Sequence, residues 1–83
     1  MTVTVLYFAW LRERIGVPRE AVDTTAATVA DLVAELRSRE ERYALAFSDL
    51  ASVRVALDQE LSAFDSPLAG VREVAFFPPM TGG

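Results

Sequence analysis

The chain has 83 residues, of which 52% are apolar, 24% charged and 10% aromatic, which suits one small globular domain with its own core. Its formal charge of −4 weighs against nucleic acid and anionic membrane as main partners. No apolar run approaches the ~18 residues of a membrane span, and the opening Met1-Thr2-Val3-Thr4 lacks the basic start of a signal peptide, so a cytoplasmic location is expected.

In chain order, Thr2 to Phe8 is rich in β-branched and aromatic residues and predicts a strand. Leu11 and Ile15 give Ala9 to Ile15 helical spacing, which Gly16 and Pro18 end. Glu20 to Thr24 predicts a weak second strand centred on Val22. Thr28 is the expected N-cap of the main helix, with Asp31 in the capping-box position. Val29, Leu32, Val33 and Leu36 then recur at i, i+3, i+4 and i+7, an apolar stripe on a helix ending near Glu40. Glu35 and Arg39 are spaced to pair on its outside.

Tyr43 to Phe47 predicts a short apolar turn, helical in character. Ser52 to Asp58 alternates, with Val53, Val55 and Leu57 on one face. Gln59-Glu60 is the expected hairpin turn into Leu61 to Phe64, and Asp65-Ser66-Pro67 is turn chemistry. The last strand is expected from Val71 to Phe77, stopped by Pro78-Pro79. The helix stripe should pack on Val3, Val5, Tyr7, Val53, Val55, Leu57, Val74 and Phe76. Strand alternation leaves Leu6, Phe8 and Phe77 on the opposite face.

What is absent removes most side-chain chemistry. There is no Cys, no His and no Lys; all eight cations are Arg. Thiolate nucleophiles, zinc–sulfur sites, imidazole bases, Schiff bases and Walker-type phosphate binding are excluded together. The twelve acids are scattered through polar stretches and read as solvated surface. A carboxylate-only enzyme stays open in principle, and the other reactive group is the C-terminal carboxylate. It ends a tail, Met80-Thr81-Gly82-Gly83, that follows the two prolines. Prolines stiffen the exit from a strand, and glycines, without Cβ atoms, supply a thin, pliable thread. Such a thread fits a narrow active site and leaves the Gly83 carbonyl carbon open to attack.

The ending Glu73-Val74-Ala75-Phe76-Phe77-Pro78-Pro79-Met80-Thr81-Gly82-Gly83 resembles that of the small, sulfur-carrying subunit of molybdopterin synthase, a ubiquitin-like sulfur carrier. So do Val5-Leu6-Tyr7-Phe8-Ala9 with Leu11-Arg12-Glu13, and Pro67-Leu68. The chain departs from that pattern at Gly70-Val71-Arg72-Glu73, where Gly-Asp-Glu is usual, and at Asp58, where Asn is common. The resemblance implies an α+β ubiquitin-like β-grasp over residues 1–79, a mixed sheet around one main helix, with a flexible Gly-Gly tail over 80–83. It implies a non-catalytic carrier within a heterotetramer whose large subunit holds the catalytic side chains. An ATP-using enzyme of the ubiquitin-activating type would adenylate Gly83, and a persulfide donor would convert it to a thiocarboxylate. That sulfur would build the dithiolene of the molybdenum cofactor from a cyclic pyranopterin. The chain itself would bind neither cofactor nor metal. Phe8, Leu61 and Phe77 would form the partner-binding contact. Two alternatives stand beside this: a ubiquitin-like protein modifier or adaptor, and a sulfur carrier for thiazole or cysteine synthesis.

Overall fold

A computed structural model describes residues 1–79. The expected tail, with the site residues Met80, Thr81, Gly82 and Gly83, lies outside the described residues. The elements are β1 (Thr2–Tyr7), α1 (Trp10–Ile15), β2 (Arg19–Asp23), α2 (Val29–Arg39), α3 (Glu41–Ala46), a 3-10 turn (Leu50–Ser52), β3 (Arg54–Leu57), β4 (Glu60–Ser62) and β5 (Glu73–Phe77). One sheet runs in the order β2-β1-β5-β3-β4. Only β1 and β5 are parallel; the other neighbours are antiparallel. This is the mixed-sheet β-grasp.

The core forms where the two periodicities meet. Val29, Leu32, Val33 and Leu36 of α2 are buried, as are Val3, Val5 and Tyr7 of β1, Val53, Val55 and Leu57 around β3, and Val74 and Phe76 of β5. All belong to one cluster. Phe76 lies at its centre, stacked against Tyr7 at 6.3 Å and edge-on to Phe47 at 4.9 Å. Aromatic pairs in these arrangements add stabilisation beyond their buried area. Leu68 and Phe47 also fill the core, which strand and helix periodicity do not reveal. No helix among the described residues is long and apolar enough to cross a membrane.

Several expected boundaries move, each for a local reason. The last strand starts at Glu73 rather than Val71, because the Val71 N–H donates to Leu68 O in a turn and the Arg72 and Glu73 N–H groups both donate to the Asp58 side chain. The hairpin turn is Asp58-Gln59, not Gln59-Glu60: both residues have positive φ (50° and 72°), and Glu60 already pairs with Leu57. Two-residue hairpins of this type need two left-handed residues in succession. Ser52 belongs to the 3-10 turn, so β3 starts at Arg54, and β4 stops at Ser62 rather than Phe64. β2 starts one residue earlier than expected, at Arg19, and ends at Asp23. Thr28 caps α2 as expected, accepting from the Asp31 N–H at 3.2 Å. The Glu35–Arg39 pair does not form. Glu35 instead accepts from the Thr24 hydroxyl at 2.7 Å, and Arg39 approaches Glu20 at 3.9 Å. Tyr43 and its neighbours are helical, as α3.

Candidate functional site

The site is built on the sheet face turned away from α2. Alternation along each strand decides its composition. β1 contributes Thr4 and Leu6, β5 contributes Glu73, Ala75 and Phe77, β3 contributes Arg54 and Ala56, and β4 contributes Leu61. Register then sets the rows. Leu6 lies beside Ala75, Ala75 beside Ala56, and Ala56 beside Leu61. Thr4 lies beside Glu73, and Phe77 beside Arg54.

Phe8 is one residue beyond β1, yet its N–H donates to Phe76 O at 3.1 Å and carries the ladder forward. That bond holds Phe8 beside β5 at the level of Phe77. Ala9 then turns away with φ 54°, which lets α1 start without burying the Phe8 ring. Phe8 remains 46% exposed although it is aromatic. Phe8, Phe77, Ala75, Ala56 and Pro78 line one shallow, almost wholly apolar groove of about 470 Å³, with Gln59 and Glu73 at its far end.

The structure therefore brings Phe8 and Phe77 together, as expected. Leu61 shares the face and is 73% exposed, but it stands across Ala56 on the edge strand, outside the groove. The face is continuous because Ala56 and Ala75, both small, let a partner approach between the larger side chains. The sequence reading missed Glu73 and Gln59 as part of this surface. The signal was present in Glu73, which shares strand parity with Phe77.

The groove ends where the described chain ends. β5 runs parallel to β1, so Phe77, Pro78 and Phe8 gather at one pole. The four residues after Pro79 reach at most about 14 Å when extended. Any chemistry at Gly83 must therefore occur close to this pole, on a molecule that touches it.

The opposite side of the sheet carries a different polar cluster. The Tyr7 and Tyr43 hydroxyls donate to the same Glu20 carboxylate oxygen, at 2.8 and 2.6 Å. Burial, and then the Glu20 hydrogen bond, raises the Tyr7 pKa well above its ordinary value. The same causes push Tyr43 up to about 12. Both tyrosines thus stay neutral donors, and the cluster ties β1, β2 and α3 together without an open reactive group. Among the described residues, no His, Cys, Asp or Glu group is arranged to hold a metal ion.

Comparison with known proteins gives a consistent set of relatives. A model of the ThiS family matches residues 5–83. The chain is 41% identical over 81 residues to the molybdopterin synthase sulfur carrier subunit of Escherichia coli (strain K12), covering 98% of this chain and 99% of that protein. It is 36% identical over 81 residues to the subunit of the same name from Haemophilus influenzae, with the same coverage. Among solved structures it superimposes on SAMP1 from Haloferax volcanii with a TM-score of 0.75, at 26% identity and with both chains fully covered. It also shares its fold with a chain in the complex of subunits 1 and 2 of molybdopterin-converting factor from Helicobacter pylori, with a TM-score of 0.63, 24% identity and full coverage of both chains.

Proposed function

The chain belongs to the ThiS family, and from that premise we propose that it is the sulfur carrier of molybdopterin synthesis, with Gly83 as the atom-bearing residue. The observation that carries this reading is the apolar groove of Phe8, Ala75, Phe77 and Pro78 placed at the root of a Gly82-Gly83 ending. The relatives named molybdopterin synthase sulfur carrier subunit support it over nearly the whole chain.

A free carboxylate is a poor electrophile, so the Gly83 carboxylate first needs a leaving group. An adenylating enzyme supplies it: the carboxylate oxygen attacks the α-phosphorus of ATP, releasing pyrophosphate and forming an acyl-adenylate. The terminal sulfur of a persulfide then attacks the Gly83 carbonyl carbon and displaces AMP, giving an acyl disulfide; a partner thiol attacks the donor's sulfur in that bond, is oxidised with it to a disulfide, and releases the C-terminal thiocarboxylate. The loaded tail enters the large synthase subunit, where its sulfur bonds to a pyranopterin carbon with displacement of an oxygen, and water cleaves the resulting thioester to return the Gly83 carboxylate. This chain supplies the handle and the docking face. With no Cys, His or Lys, it leaves thiol nucleophiles, imidazole bases and ammonium groups to its partners. ATP acts at the activating partner, and the carrier works in the cytoplasm, where these partners meet.

The two partners recognise the same apolar face through Phe8, Phe77 and Leu61, so loading and delivery alternate. Similarity to SAMP1 favours a second reading, a modifier whose tail forms an amide with a partner's lysine. Intact mass spectrometry of the protein from its native host separates the two. Replacement of one oxygen by sulfur at the C-terminus supports the carrier; a ladder of heavy conjugates with no thiocarboxylate overturns it.

A further inference from the structure

The apolar groove leaves one problem unsolved. Apolar contact is non-directional. A face of Leu6, Ala75, Ala56 and Leu61 is compatible with a partner docked either way along the strands. Only one direction brings the tail to the partner's active site, because the residues after Pro79 reach no more than about 14 Å.

Glu73 breaks that symmetry. It lies at the groove end away from the tail, four residues from Phe77 along β5, or about 13 Å. Its side chain is half-buried, yet among the described residues its carboxylate makes no ion pair and no hydrogen bond. Its backbone, by contrast, is held firmly. The Glu73 N–H donates to Asp58 Oδ1 at 2.9 Å, and Glu73 O accepts from the Asp58 N–H at 2.9 Å. The left-handed Asp58-Gln59 turn thus acts as a latch that fixes where Glu73 presents its charge. At the other end, beside Phe77, the exposed residue is Arg54, whose guanidinium meets only the Ala51 and Val53 carbonyls. The groove thus carries its one acidic side chain, Glu73, at one end, while Arg54 shares the outer face beside Phe77 but does not line the groove.

A partner that covers this groove removes Glu73 from water. An unpaired carboxylate resists such burial strongly. We propose that Glu73 determines the direction of docking by pairing with a guanidinium or ammonium group on the large synthase subunit. This rests on the carrier reading above. In the reversed pose that cation would lie at the Phe77 end and Glu73 would be covered without a partner, so the wrong orientation is disfavoured by the burial of an unpaired carboxylate. Glu73 is a positioning residue in this scheme, since it never approaches the reacting carbonyl.

The test uses the full chain and the purified large subunit from the same organism, with affinity measured by titration calorimetry at several salt concentrations. Glu73→Gln keeps the shape and removes the charge. It should weaken binding by at least about ten-fold at low salt and flatten the salt dependence seen for the unmodified chain. Glu73→Arg should weaken it further. Circular dichroism should stay native for both, because the side chain bonds to nothing within the described fold. An unchanged affinity for Glu73→Gln overturns the inference, as does weaker binding with an unaltered salt dependence, which would indicate lost shape rather than lost charge. If the unmodified chain fails to bind the large subunit at all, the carrier reading itself falls, and this inference with it.

Discussion

Strand β5 carries two phenylalanines in succession, and they have opposite fates. Phe76 is fully buried between Tyr7 and Phe47, under the protein's own helices. Phe77, one residue on, lines an open groove with Phe8 and Pro78. Their chemistry is identical, and only the two-residue period of the strand separates them. The difference teaches how this small domain divides its apolar residues. The inner face holds the fold together and has no surface left for a partner. The outer face contributes little to the fold and keeps its apolar area available, next to Pro78 and the end of the described residues.

The largest effects should come from damage that spares both faces. Removing Gly83, or extending the chain beyond it, should abolish sulfur loading completely while melting temperature and partner binding through the groove persist. Intact mass after incubation with the activating enzyme, ATP and a persulfide donor reads this out. Full loading of a chain with an uncleaved C-terminal extension would break the assignment of Gly83.

Inner-face truncations should come next and act on stability. Phe76→Ala should cost about 3–5 kcal/mol and Leu36→Ala about 2–5 kcal/mol. Against the ~5–15 kcal/mol typical of a whole domain, either change approaches unfolding. Denaturant melts give the values. A Leu36→Ala chain that keeps its midpoint yet loses sulfur transfer would blur the division between faces.

Outer-face truncations should do the reverse. Phe77→Ala or Phe8→Ala should weaken binding to both the activating enzyme and the large subunit, by about 1–4 kcal/mol for each anchor. Stability should move far less than in Phe76→Ala. Native circular dichroism with unchanged affinity for both partners would make the groove ordinary surface.

Much of this division is legible in the sequence alone. Alternation placed Val3, Val5 and Tyr7 inside and Phe8 and Phe77 outside, because a strand's side chains have a strict period of two. The helix stripe of Val29, Leu32, Val33 and Leu36 was equally plain. What the residues hid depends on contacts distant in sequence. Asp58 meets the backbone of Arg72 and Glu73 only because β3 and β5 are neighbours, and that contact shifts the start of the last strand. Leu61, joined to Phe8 and Phe77 only by the family resemblance, does share the outer face, but its position outside the groove follows from strand order, which no local pattern encodes. Glu20 looked like a surface acid, and its role as acceptor for Tyr7 and Tyr43 appears only when β2 and α3 meet.

The smallest effect sharpens the comparison from the inner side, through the Glu20 cluster. Tyr43 has its pKa raised on folding to about 12, first by burial and then by its bond to Glu20. A raised pKa means that the native state holds this proton more tightly than the unfolded chain, where tyrosine titrates at about pH 10. Between those values the unfolded chain binds fewer protons, so stability falls as pH rises. The contribution is complete below about pH 10 and is lost as pH climbs through about 12. Tyr43→Phe should cost about 1 kcal/mol at neutral pH, since Glu20 still accepts from Tyr7 and has Arg39 nearby. It should also make the decline above pH 10 shallower, leaving the part that belongs to Tyr7, whose pKa is raised as well. Partner affinity at neutral pH should not change, because Tyr43 is buried on the helix side of the sheet. Denaturant melts across the alkaline range measure the slope. An unaltered slope in Tyr43→Phe would remove the Glu20 cluster from the account of what stabilises the inner face.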